Sequence, residues 1–138
     1  MISDRSRQAR TPTATLHSVL VLAQPSPETD DLLEPLLRRP DLGLLRVATV
    51  DAAQIALRDV AVSLVLVCPE TDAAAVTSIL DRARELRPGT PVLLLRARGS
   101  GAPAGAKGRT LAVLRCPIFP EVLSRTVDVA LGLSPVPH

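Results

Sequence analysis

The sequence predicts an α/β protein: five short parallel strands with helices packed on both faces of the sheet. Three observations carry that reading. Apolar runs such as VLVL at 19–22 and LVLV at 64–67 have no polar face, the pattern of a strand buried on both sides. The runs alternate with longer segments whose Leu, Val and Ala recur at helical spacing, and strand–helix–strand alternation builds a parallel sheet. With 138 residues, 46% of them hydrophobic but only one aromatic, the chain is long enough for one domain with an aliphatic core.

Residues 1–16 lack the apolar stretch of a secretory signal and are expected to be a disordered lead-in. The domain itself is expected over residues 17–133. Strand one covers 19–22. Residues 27–39 follow as a helix with Leu32, Leu33, Leu36 and Leu37 on one face. Pro27 suits the first turn, and Pro35 is expected to kink or shorten the helix. A turn at 40–43 leads into strand two at 44–48, and Asp51 is expected to cap a short helix through Ala52, Ile55 and Leu57. Strand three is 64–67. The next helix, 72–87, turns Val76, Ile79, Leu80, Ala83 and Leu86 inward and stops at Pro88-Gly89. Strands four and five are 91–95 and 111–114. A last helix over 120–131 buries Leu123, Val127, Ala130 and Leu131, with Gly132 as its terminator. Residues 134–138 read as a tail or the start of a linker.

Between strands four and five, topology asks for a crossover helix, but the sequence there is RARGSGAPAGAKGRT. Each Gly costs a helix about 1 kcal/mol relative to Ala, and Pro about 3 kcal/mol. A loop or a single turn is expected instead. Gly105-Ala106-Lys107-Gly108 does not make a phosphate-binding loop: the spacing is wrong, no hydroxyl follows Lys107, and a strand rather than a helix comes next.

The formal net charge of +2 is too small to hold nucleic acid or a membrane by charge alone, and the scarcity of aromatics removes base stacking. No apolar run reaches the roughly 18 residues of a membrane span. Neither direct nucleic-acid contact nor a membrane is therefore expected, and a cytoplasmic location is. The two cysteines are expected as free thiols. His17 and His138 lie near the two ends of the chain, so no zinc set forms, and no metal or cofactor is expected. Cys68 follows strand three at the edge where chemistry gathers in parallel sheets. A catalytic thiol would need a base, and His17 belongs to the opposite end of strand one.

Four stretches resemble the receiver domain of bacterial response regulators. SVLVLAQPS (18–26) resembles the first strand and its acidic tip, SLVLVC (63–68) the third strand ending in the phospho-acceptor Asp, and TPVLLLRA (90–97) the fourth strand with its hydroxyl residue. CPIFPEVLSRTVDVAL (116–131) resembles the ending in which Lys-Pro-aromatic precedes the last helix, with Pro117 in the place of the proline. The resemblance spans about residues 17–133. It implies a flavodoxin-like, CheY-like doubly wound sheet of order 2-1-3-4-5, with the receiver's fourth helix shortened or replaced by the Gly-rich loop.

The departures fall on the site. Where a receiver carries an acidic pair, an acceptor Asp, a hydroxyl and a Lys, this chain carries Ala23 with Gln24, Cys68, Arg96 and Cys116. Mg²⁺ prefers carboxylate oxygens, which none of these supplies. Glu70 and Asp72 are expected to start the following helix. The expected function is a non-enzymatic bacterial signalling module of pseudo-receiver type, acting by protein contact without phosphorylation. By resemblance its surface would include Arg109, Arg115, Glu121, Arg125 and Asp128. The partner would be another protein, a fused output domain, or a second copy docking through strand five and the last helix. Cys68 and Cys116 are expected as buried filling of the vacated pocket, with Arg96 turned outward. The alternative is a redox- or anion-responsive pocket of Cys68, Arg96 and Cys116, with Arg96 turned in to favour a thiolate.

Overall fold

A computed structural model describes residues 16–97, 112–116 and 118–133. In chain order the elements are β1 (His17–Leu22), α1 (Pro27–Leu37), β2 (Leu42–Val47), α2 (Val50–Asp59), β3 (Leu64–Val67), α3 (Ala73–Leu86), β4 (Val92–Ala97), β5 (Ala112–Cys116) and α4 (Pro120–Ala130). The five strands form one sheet of order β2-β1-β3-β4-β5, and every neighbouring pair is parallel. The expected topology is therefore present. The Gly-rich segment at 98–111 lies outside the described residues, as do Arg109 and Pro117.

Strand alternation divides the core into two layers. Leu20, Leu22, Val65, Val67, Val92 and Leu94 face α2 and α3, where Ala53, Leu57, Val76, Ile79, Leu80 and Ala83 meet them. Val19, Val21, Leu64, Leu66, Leu93 and Leu95 face the other way, against Leu33 and Leu36 of α1 and Leu123 and Val127 of α4. The central strand bodies are closed on both sides, which is why their sequences carry no polar alternation. Edge strand β2 differs: Leu45 is 37% exposed, and Arg46 reaches Asp30 of α1 in a 2.7 Å ion pair. Each buried Leu or Val contributes roughly 1.5–3 kcal/mol relative to an exposed one.

Helix ends follow the turn chemistry. Ser26 caps α1, its Oγ accepting the Thr29 N–H at 3.1 Å, with Pro27 in the first turn. The helix runs through Pro35 and ends two residues later at Leu37, not at residue 39. Leu33 and Leu36 are buried while Leu37 is 55% exposed, so the inward stripe is narrower than the leucine count suggests. At α2 the cap is Thr49, whose Oγ1 accepts the Ala52 N–H at 3.1 Å; Asp51 sits inside the first turn, where its charge favours the helix dipole. The inward residues of α2 are Ala53, Ala56 and Leu57, and Ile55 is 51% exposed. Asp72 caps α3 through the Ala75 N–H at 2.8 Å.

Gly132 ends α4 as expected. Its φ of 73° lies in the left-handed region, its N–H donates to the Val129 carbonyl at 3.1 Å, and the Leu133 N–H donates to Asp128 at 2.7 Å. These two bonds form a Schellman closure, which favours a residue without a Cβ.

Candidate functional site at the carboxyl edge of the sheet

Parallel strands bring all their C-terminal tips to one edge, where the tips of β1, β3, β4 and β5 lie side by side. His17, the first residue of β1, lies at the other end and supplies no base there. Ala23 continues the β1 backbone, is 2% exposed, and donates its N–H to the Val47 carbonyl at 2.9 Å. Cys68 does the same after β3, donating to Leu22 at 3.0 Å, and is 0% exposed. Burial pushes the Cys68 thiol up to about 12; Glu70 adds to the rise, and Arg46 opposes it in part. Cys116 at the tip of β5 is half-buried, and burial followed by Glu70 pushes its thiol up as well. Both positions hold neutral thiols at neutral pH.

Register separates the two sulfurs. Val67 pairs with Leu94, so Cys68 stands level with Leu95, whereas Cys116 pairs with Ala97 two residues farther along. Two strand spacings and two residues of rise place the Cα atoms about 12 Å apart. A disulfide needs less than about 7 Å, so the strand tips do not bridge.

Arg96 is not turned outward. It is 8% exposed, and one terminal nitrogen donates to the Thr71 carbonyl at 2.8 Å, while among the described residues its buried Nε has no hydrogen-bond partner. Alternation along β4 places Arg96 on the side of Val92 and Leu94, opposite the layer that holds Cys68. Its inward turn therefore clamps the loop after β3 and does not activate the thiol. The anion or redox pocket built from Cys68, Arg96 and Cys116 does not assemble, because the three do not converge.

Glu70 is the residue that sequence spacing misplaced. It does not enter α3, which begins at Ala73. Instead its Oε2 accepts the Gln24 backbone N–H at 2.7 Å, tying the loop after β3 to the tip of β1. Gln24 Nε2 donates to the Ala48 carbonyl at 2.8 Å, so Gln24 holds both neighbouring loops. The signal was available: Asp72 as an N-cap leaves Glu70 outside the helix.

Between the first turns of α1 and the strand tips lies a cavity of about 620 Å³, with Leu32, Thr29, Pro69, Glu70, Ala97 and Cys116 among its walls. Cys68 and Arg96 do not line it. The site does not suit Mg²⁺. Ala23, Gln24 and Cys68 offer no carboxylate where the resemblance places three, and among the described residues no three His, Cys, Asp or Glu side chains are grouped to hold an ion.

The surface residues separate as well. Glu121 and Arg125 are exposed on α4, and Arg115 is exposed on β5. Asp128 is engaged inside the molecule: Arg39 reaches it at 2.6 Å and pairs with Asp41 at 2.9 Å, joining α4 to the turn before β2. That pairing holds the Asp41 carboxyl below its usual range, chiefly through the hydrogen bond from Arg39. Phe119, Val122 and Val129 are the exposed apolar residues at the start and along the outer side of α4, and the sequence reading had not singled them out.

No family model and no curated protein sequence matches the chain. Solved structures do. A CheY-like response regulator receiver domain protein from Methanospirillum hungatei superposes with a TM-score of 0.72 at 18% identity, covering 86% of this chain and 95% of that one. The fold is that of a CheY-like receiver domain. The receiver domain of a sensor histidine kinase from Pseudomonas aeruginosa, which carries a magnesium ion in its active-site cleft, gives 0.64 at 17% identity over 86% of this chain and 99% of that one. NtrX from Brucella abortus gives 0.68 at 21% identity, covering 86% of this chain but 26% of that longer one. Among the described residues, no helix is long and apolar enough to cross a membrane.

Proposed function

We propose that this chain is a non-catalytic signal-transduction module of receiver fold that acts through protein contact and undergoes no Mg²⁺-dependent aspartyl phosphorylation. One observation carries the reading. The position that the resemblance matches to the acceptor holds Cys68, wholly buried, with its thiol pushed up to about 12, and those matched to the metal-binding pair hold Ala23 and Gln24. A neutral buried thiol is a poor nucleophile toward a phosphodonor, and the donor set is wrong for a hard cation.

The contact surface proposed is the outer side of α4 with β5: Phe119, Val122 and Val129 supply apolar area, and Glu121, Arg125 and Arg115 supply charge around it. Such mixed apolar and charged patches suit protein partners. Asp128 is left out of this surface because Arg39 holds it. A fused output domain is one form the partner takes, supported by NtrX, where the matching region is about a quarter, 26%, of the chain. A second copy is another, and sedimentation reads it: a dimer formed here is lost in Val122→Glu.

Incubation with Mg²⁺ and acetyl phosphate, followed by intact mass measurement, tests the main claim. A single unmodified mass is expected. A phosphoryl adduct that hydroxylamine removes would mean that a carboxylate of this chain accepts the group, and the reading fails.

A further inference from the structure

The cavity at the carboxyl edge has a chemical preference that the lost phosphoryl chemistry does not explain. Its apolar lining comes from Leu32, Pro69, Ala97, Cys116 and Ile118. Its polar lining consists of Gln24, Ser26, Glu28, Thr29 and Glu70, and among the described residues no Arg or Lys lines it. At about 620 Å³ it is within the range of small-molecule sites.

Hydrogen-bond accounting gives the polar lining a direction. The Gln24 backbone N–H is taken by Glu70, and Gln24 Nε2 donates to the Ala48 carbonyl. Thr29 spends its backbone N–H on Ser26 Oγ. The charged groups of the lining are both acceptors, the second oxygen of Glu70 and the Glu28 carboxylate; beside them are the Gln24 side-chain carbonyl, the second hydrogen of its Nε2 and two hydroxyl groups. No ion pair among the described residues engages Glu28 or Glu70. An anionic ligand would meet two carboxylates. A cation would meet two counter-charges on exposed side chains, wet enough to spare it full desolvation, while an apolar body packs on the apolar lining.

We propose that this cavity binds a small organic amine: an ammonium group on a short apolar body, with the head between Glu28 and Glu70 and the body against Ala97, Cys116 and Ile118. The pocket so read is a sensing site at the edge where the resemblance places a receiver's phospho-acceptor. It does not depend on the partner surface or on the absence of phosphorylation, so its test succeeds or fails apart from theirs.

The test uses three probes of equal chain length: octylamine, octanol and octanoate, titrated into isotopically labelled protein at neutral pH and moderate salt. Octylammonium is expected to bind at least about tenfold tighter than octanoate, a difference worth about 1.4 kcal/mol, with octanol between them. Its amide shifts are expected at Gln24, Glu28, Glu70, Ala97 and Ile118. The double variant Glu28→Gln, Glu70→Gln keeps an acceptor for the Gln24 N–H and is expected to bring the three affinities within about threefold of one another. Ala97→Phe, at an exposed strand tip, is expected to weaken all three. Equal or tighter binding of octanoate, absence of saturable octylamine shifts, shifts confined to other residues, or an amine preference that survives the double variant would each overturn the assignment.

Discussion

The body of the sheet and its carboxyl tips follow different rules in this molecule. In the body, β1, β3 and β4 are lined on both faces by Leu and Val at 0–3% exposure, as the receiver fold requires. At the tips, the positions that the resemblance matches to receiver chemistry hold a small apolar residue, an amide, a buried thiol and an inward arginine. The fold asks for apolar volume, parallel register and helix caps, and none of these depends on a carboxylate at a strand end. The chemistry depends on a few side chains that contribute little to stability. The two sets of residues therefore separate, and a chain can keep the first while losing the second.

If that separation holds, substitutions in the body should cost several times more than substitutions at the tips. The largest effect is expected for Leu66→Ala, at a wholly buried position in the layer under α1 and α4. Denaturant unfolding should show a loss of about 3 kcal/mol, since burial is complete and neighbours close the hole only in part.

Cys68 belongs to both regions, and pH distinguishes its roles. Its folded pKa, raised from 9.0 to about 12, lies above the unfolded value. The associated stability is fully present below pH 9.0 and is lost as pH rises toward about 12, because only the unfolded chain ionises its thiol in that window. Stability relative to Cys68→Ala should thus fall by about 1.4 kcal/mol between about pH 8 and pH 10. A flat difference would mean that the thiol ionises in the folded state. In the same preparation, a thiol reagent should modify Cys116 well before Cys68.

A smaller effect is expected where the two regions are joined to the helices. Asp128→Asn weakens the Arg39 pairing that ties α4 to the turn before β2 and should cost about 1 kcal/mol, less in high salt, because both side chains are partly exposed. The smallest is expected at the tip itself. Gln24→Ala removes an exposed side-chain bond to Ala48 but keeps the backbone N–H that Glu70 accepts, and should cost about 0.5 kcal/mol. A loss at Gln24 comparable to that at Leu66 would mean that the tips help hold the sheet.

The same division decided what was legible in the sequence. Strand bodies, the Gly132 helix end and the parallel order follow from local composition, period and family resemblance, and the structure bears them out. The misses concern side chains whose partners are distant in sequence. Thr49 and Asp51 are both good cap residues, and the choice between them turned on where the backbone enters the helix. A long arginine at a strand end was expected to reach solvent, but a carbonyl 25 residues earlier, at Thr71, draws Arg96 inward. Glu70 bonds across 46 residues to Gln24, and no local pattern announces that. Asp128, one position from buried Val127, carried a local hint that it faces the body.

The most direct test of the loss of switch chemistry is an amide-resolved titration with Mg²⁺ followed by beryllofluoride, the tetrahedral mimic of a phosphoryl group. The amides of Gln24, Cys68, Glu70 and Arg96 are expected to show no saturable shifts, with the sheet spectrum unchanged. Saturable, Mg²⁺-dependent shifts at those four residues on adding beryllofluoride would show a working phosphoryl site and contradict the account.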